Sequence, residues 1–266
     1  STKRHPSDIR LEVGCDGQGR ISGFVFDGVF NTGAYASWGP TVANRVPVHA
    51  SGPYFTPDYQ ATSIAVHTNA PPSGAFRGFG VPQSAVAQEC AYDLLADKVG
   101  MDRLDFRRIN VLQNNLPTVT GQRFKTGVGI AECLDALKPT WDAAHMRVDA
   151  FNKDALKSGS VWRKGVGVAS CWYGCGNTSL PNPSTIRMGL TSNGVFVLHQ
   201  GAMDIGQGAN TVISQIAADA LGVSLNSLSL VDGDTDLTPD CGKTSASRQT
   251  FVSGNAALMA GKALRK

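Results

Sequence analysis

The sequence predicts an α+β fold, with mixed sheets, packed helices and two subdomains, on three observations. Runs that alternate apolar and polar residues occur in both halves of the chain. Stretches with helical apolar spacing and clear stop residues lie among them. No self-similar period of about 20–50 residues is visible, which sets repeat architectures aside. A chain of 266 residues buries roughly 70–75 % of its unfolded surface, enough for one large or two modest cores without staples.

The first alternating runs are Ile9–Val13 and Ile21–Phe26. Asp16-Gly17-Gln18-Gly19 between them supplies residues that tolerate positive φ, so the pair reads as a hairpin. Residues 31–57 are rich in Gly, Pro, Ser and aromatics without a period and read as a long ordered loop. A short strand, Ser63–His67, leads into the segment from Thr68 to Gly80, which Gly and Pro break too often for regular structure. A helix then opens at Pro82, with Val86, Cys90 and Leu94 at helical spacing and Gly100 as its stop. Further helices are expected over 101–112 and 129–145.

Lys157-Ser158-Gly159-Ser160 reads as a joint, dividing the chain into 1–159 and 160–266. Beyond it, Gly165–Ser170, Val195–Leu198 and Leu228–Val231 read as strands. A helix over 210–221, with Val212, Ile216 and Ala220 at helical spacing, stops at Gly222, and a final helix starts near Thr250.

Composition narrows the function classes. With 42 % hydrophobic and 17 % charged residues the chain is not disordered, and its low charge points to surface covered by a partner. A net charge of +3 without a basic run offers little phosphate neutralisation, which argues against nucleic-acid binding. No apolar run approaches the ~18–20 residues of a membrane span, and the first residues lack the apolar stretch of a signal peptide, so a cytoplasmic protein is expected. The six cysteines are scattered and read as reduced thiols. Cys171 and Cys175 are the close pair, without a second pair at zinc-site spacing, and read as small apolar residues.

Three Gly-containing stretches place backbone amides and small polar side chains where a ligand can come close: 74–80, 201–208 and 242–249. The second and third each precede a helix, at the positive end of its dipole, a seat for an anion or an oxo group. None fits a nucleotide fingerprint: no Gly-x4-Gly-Lys-Ser/Thr occurs, and Gln83 stands where a third glycine would follow Gly78-x-Gly80.

Taken together, these stretches carry a resemblance. Thr68-Asn69-Ala70-Pro71-Pro72-Ser73-Gly74-Ala75-Phe76-Arg77-Gly78-Phe79-Gly80-Val81-Pro82-Gln83 resembles a cofactor segment of the molybdenum hydroxylases, the xanthine dehydrogenase and aldehyde oxidoreductase family. Lys3-Arg4-His5-Pro6 resembles an upstream motif of that family's molybdenum subunit. Asp204–Thr211 resembles its second cofactor segment and Ser245–Thr250 its third, in the family's order and over nearly the whole chain.

The resemblance implies two parts of a molybdopterin-binding subunit. The implied reaction hydroxylates an electron-poor carbon with water as the oxygen source and passes two electrons to molybdenum. The cofactor performs the chemistry and the protein supplies position and electrostatics. By the same resemblance, Gln207, between Gly206 and Gly208, donates its amide to a molybdenum oxo ligand. Gly74, Ala75, Phe76, Arg77 and Gly78 face the cofactor, with Arg77 offsetting its negative charge. Phe79 lies against a flat substrate and Phe76 packs beneath the cofactor, both within the substrate pocket. Ser245 and Ala246 approach the substrate, while Ser247, Arg248 and Gln249 contact the pterin and its nucleotide, commonly cytidine. Arg45 matches an arginine that stabilises charge building on a heterocycle, which would favour purine- or nicotinate-like substrates. No side chain ligates the metal in this reading.

The resemblance further implies partner 2Fe–2S and FAD subunits or domains, and the remainder of the molybdenum subunit. The family's general-base glutamate lies downstream of the third segment and its first glycine turn lies upstream of Lys3, so the 266 residues by themselves are expected to have no turnover. Two alternatives stand: an aldehyde oxidoreductase or aromatic thioester reductase of the same family, and a catalytically silent cofactor-binding or assembly module. Position 45 and the Trp172-Tyr173-Gly174 loop are where substrate classes would be told apart.

Overall fold

The computed structural model describes residues 2–176 and 181–266. The chain forms two compact units, Ser1–Tyr173 and Gly174–Lys266. The fold is α+β, as expected, with a three-stranded mixed sheet in each unit.

In the first unit, β1 (Ser7–Cys15) and β2 (Ile21–Gly33) form the expected hairpin, longer than the alternation indicated. The Asp16 carboxylate accepts the backbone N–H groups of Gln18 and Arg20 and so closes the turn. β3 (Asp58–His67) pairs parallel with β2. Parallel neighbours require a crossover, and here it is α1 (Gly39–His49), within the stretch expected to be a loop. Gly, Pro and Ser hid its apolar face, Val42, Ala43 and Val46, which packs down while Pro40 sits in the first turn and Pro47 is tolerated inside.

Phe24, Phe26 and Phe30 of β2 point to one side at the strand period and form a core with Val46, Tyr54, Tyr92 and Phe106. α2 (Val81–Val99) covers that core and ends, as expected, at Gly100 in a left-handed conformation. Its apolar stripe is not the buried face, however. Val86, Cys90 and Leu94 are exposed, and Ser84, Gln88, Glu89, Tyr92 and Ala96 are buried. The polar members survive burial because they are paired. Glu89 receives the Arg107 guanidinium at 2.6 Å, the Tyr54 hydroxyl at 2.9 Å and the Gln88 amide at 2.9 Å.

α3 (Arg103–Asn110) is capped by Asp102, whose second oxygen accepts Trp141 Nε1 from α4 (Ile130–Lys157). α4 outruns the expected end at residue 145 by three turns. Residues 165–170, expected as a strand, join no sheet; Val166 and Val168 pack instead on Leu104, Leu134 and Trp141. Burial without a strand partner produces the same apolar–glycine alternation.

In the second unit, β4 (Ile186–Leu190), β5 (Phe196–Gln200) and β6 (Leu228–Asp232) form a sheet in that order, β4 antiparallel and β6 parallel to β5. α5 (Ala209–Leu221) is the crossover between β5 and β6 and stops at Gly222, as expected. α6 (Gln249–Arg265) packs closely along it, and a Cβ at Gly261 would stand 2.8 Å from that of Ala220. Leu198, Ala202, Ile213, Ala217 and Ala257 make this unit's core. Among the described residues no helix is long and apolar enough to cross a membrane.

Candidate cofactor and substrate elements

In the first unit the Phe76–Gly80 turn is built from consecutive left-handed residues, Gly78 (φ 86°), Phe79 (φ 47°) and Gly80 (φ 94°), immediately before α2. Glycine takes this conformation freely, but Phe79 does so at a cost of about 1–2 kcal/mol, which the surroundings must supply. They do. Phe79 N–H donates to Phe76 O at 2.8 Å, and its ring meets Trp38 edge-on at 6.4 Å. Arg4 lies over the Phe76 ring at 4.7 Å, donates to Arg77 O at 2.8 Å and reaches Gln83 at 3.4 Å. Gly74 N–H donates to Lys3 O at 3.1 Å, and a side chain at Gly74 would strike Ser37. The Lys3-Arg4-His5-Pro6 segment thus straps this turn in place, a role that its sequence did not reveal.

On that frame Gly74 is buried, Ala75, Phe76 and Arg77 are exposed, and Gly78 and Phe79 are half-buried. Arg45 stands on α1, half-buried, with its guanidinium 4.8 Å from the centre of the Tyr173 ring. One turn on, His49 stacks on Tyr173 at 5.6 Å and contacts Trp172 at 5.5 Å, while Trp172 Nε1 donates to His49 O at 3.4 Å. Burial, with the neighbouring Arg45 charge, lowers the His49 pKa to about 4, so the ring is neutral at physiological pH.

In the second unit the structure brings the second and third glycine-containing stretches together: Thr244 Oγ1 donates to Met203 O at 2.9 Å. Gly206 (φ 100°) and Gly208 (φ 82°) flank Gln207, and a Cβ at either would meet nothing within 4 Å, so the turn faces open space. The Gln207 side chain is exposed and folded onto its own turn, Oε1 accepting Ile205 N–H and Nε2 donating to Met203 O at 3.1 Å.

An internal carboxylate already occupies part of the approach to α5 that was expected to seat an anion. The Asp204 carboxylate accepts Gly206, Gly208 and Asn210 N–H at 2.9–3.2 Å. That carboxylate complements the positive helix end, and the Gly206 and Asn210 amides hold the Asp204 carboxyl below its ordinary range.

In the third stretch Ala246 and Ser247 are both left-handed (φ 54°). Ser245 and Ser247 are exposed and Ala246 is half-buried. Gly176 N–H donates to Ala246 O at 2.8 Å and Cys175 Sγ donates to Ser247 O at 3.4 Å. Arg248 and Gln249 point inward. The buried guanidinium of Arg248 donates to Cys241 O at 2.7 Å, to Lys243 O at 3.1 Å and to Pro183 O. Gln249 Nε2 reaches Lys243 O and Thr244 Oγ1 at 3.1 and 3.2 Å, and its Oε1 accepts Ser253. Both side chains hold the loop that presents residues 244–247.

Family models for the molybdopterin cofactor-binding domain match residues 1–111 and 136–266. The nicotinate dehydrogenase large molybdopterin subunit of Eubacterium barkeri is 42 % identical over 135 residues, covering 51 % of this chain and 32 % of that protein. A putative xanthine dehydrogenase molybdenum-binding subunit of Escherichia coli (strain K12) is 32 % identical over 270 residues, covering 99 % and 35 %. The crystal structure of the aldehyde oxidoreductase from Desulfovibrio desulfuricans ATCC 27774 superposes with a TM-score of 0.90 at 30 % identity, covering 99 % of this chain and 28 % of that one. The chain spans about a third of the length of the curated relatives it matches. Matched along both units by models of one cofactor-binding domain, the chain belongs to the molybdopterin-binding family of xanthine dehydrogenase and aldehyde oxidoreductase.

Proposed function

We propose that this chain is the cofactor-holding part of a molybdenum hydroxylase acting on an N-heteroaromatic substrate, purine- or nicotinate-like. The carrying observation is Gln207 on its open turn, flanked by left-handed Gly206 and Gly208 and tied through Met203 to Thr244, which leads into the third stretch. Small residues, exposed hydroxyls and backbone in left-handed turns suit a large polar ligand that must approach the main chain closely. When bound, molybdopterin supplies the metal that accepts two electrons as an electron-poor carbon gains an oxygen from water.

The chain's own residues bind and orient. Gln207 turns its carboxamide from Met203 O to the cofactor, Arg77 offers an exposed cation, and Ser245 and Ser247 offer hydroxyls. Gly74, Ala75 and Gly78 let the backbone come near. Phe76 and Phe79 provide aromatic surface, with Ala246 beside the substrate. Arg45 stabilises negative charge building on the ring, which the identity to a nicotinate dehydrogenase subunit favours over an aldehyde. A cytosine dinucleotide form of the cofactor, partner iron–sulfur and flavin subunits and a cytoplasmic location complete this reading. In this reading turnover is a property of the enzyme assembled with those partners.

The test is molybdenum content and acid-released nucleotide, measured on the protein purified from its host with whatever copurifies. Stoichiometric metal and a released cytidine nucleotide support the proposal. Absence of both leaves the silent assembly module.

A further inference from the structure

We infer that Tyr173 is a positioning residue for Arg45, and that through this contact it sets the preference for substrates whose ring carries negative charge. The inference rests on the reading of Arg45 given above and gives Tyr173, in the loop expected to tell substrate classes apart, a specific contact through which to act.

The argument is geometric. Arg45 and His49 are one turn apart on α1, and His49 Nδ1 lies 3.3 Å from Arg45 O. Both side chains meet the same ring: the Arg45 guanidinium 4.8 Å from the Tyr173 centroid, and the His49 imidazole stacked on it at 5.6 Å and 22°. Trp172 fixes the other partner, contacting the imidazole at 5.5 Å and donating to His49 O. Arg45, Tyr173, His49 and Trp172 therefore form one continuous stack. The guanidinium is its end member and lies against an aromatic face, which constrains the plane of the cation. With His49 neutral, the stack contributes one cation.

The consequence is specific to ring chemistry. An aromatic face can be kept while the hydroxyl is removed, so Tyr173→Phe preserves the contact and Tyr173→Leu abolishes it. The attraction at stake, about 0.5–2 kcal/mol, corresponds to roughly 2- to 30-fold.

The experiment uses the full-length protein in its assembly, with Tyr173→Phe, Tyr173→Leu and Arg45→Met. The first readout is independent of turnover: the rate of phenylglyoxal modification at Arg45, followed by peptide mass spectrometry. Tyr173→Leu should raise it roughly 2- to 30-fold, and Tyr173→Phe should stay within about twofold of wild type. The second readout is kcat and KM for nicotinate against benzaldehyde. Tyr173→Leu should lower kcat for nicotinate by a similar factor while leaving benzaldehyde unchanged, and Tyr173→Phe should restore it. Equal Arg45 reactivity in the Phe and Leu variants overturns the positioning contact. A reactivity contrast with an unaltered nicotinate-to-benzaldehyde ratio in Arg45→Met overturns the specificity role and, separately, the reading of Arg45.

Discussion

Replacing Arg107 with Met removes a guanidinium that is fully buried between α2 and α3, and the structure fixes what is lost. Arg107 Nε lies 2.6 Å from Glu89 Oε2, one terminal nitrogen lies 2.8 Å from Asp93 and 2.9 Å from Arg103 O, and the other donates to Glu89 O at 3.1 Å. Asp93 keeps Arg103 at 3.1 Å. Glu89, with 8 % of its side chain exposed, keeps the neutral donors Tyr54 and Gln88, both on Oε1, and loses the cation at Oε2. Breaking a buried pair from one side costs about 3–5 kcal/mol, since the surviving charge stays desolvated. That is roughly 10²- to 10³-fold or more in the folding constant. Arg107→Met combined with Glu89→Leu leaves no such charge and should recover at least half of the loss. Urea unfolding followed by tryptophan fluorescence measures wild type, Arg107→Met, Glu89→Leu and the double variant at equal m-value. A single variant within about 1 kcal/mol of wild type, or a double variant equal to the sum of the singles, would refute the account. Because Tyr54 and Tyr92 tie this network to the turn after α1, amide exchange near Gly52 should also rise.

Three further outcomes are expected. Gln207→Ala in the intact assembly should lower turnover by about 10²-fold, the scale of losing one preorganised donor, with metal content retained; wild-type rates would remove its assigned role. Because the Asp204 carboxyl is depressed by the amides it accepts, its hold on the Gly206–Asn210 turn is complete above the unfolded value near 3.9 and is lost as pH falls through the lower folded value. Intrinsically corrected amide exchange at Gly206 and Gly208 should therefore accelerate below about pH 4 in wild type and show no such step in Asp204→Asn. Arg4→Met should speed tryptic cleavage at Arg77–Gly78, because Arg4 holds the carbonyl of that bond; an unchanged rate by mass spectrometry would show that the strap is dispensable.

The sequence by itself determined the class of fold, the hairpin, the helix stops at Gly100 and Gly222, and the family. Each of these rests on local chemistry: positive-φ residues at turns, a period along the chain, and three short motifs in order. It misjudged residues 39–49 because Gly and Pro read as loop, whereas the parallel pairing of β2 and β3 demands a crossover there. It also singled out Val86, Cys90 and Leu94 on α2, which are exposed, because the buried side of that helix is polar and is paid for by Arg107, a residue eighteen positions from Glu89.

The candidate residues are nominated by the same contiguous motifs that carry the family. Their supports are not. Arg4 reaches Arg77 across seventy-three positions, and Tyr173 meets Arg45 across more than a hundred. Arg248 and Gln249, adjacent in a motif, turn into the protein to hold a loop. Asp204 takes amides at the start of α5 that glycine spacing alone left open to an anion. Motif chemistry is carried by neighbours in sequence, but the orientation of a side chain is decided by whichever distant donor, ring or carbonyl the tertiary fold places against it.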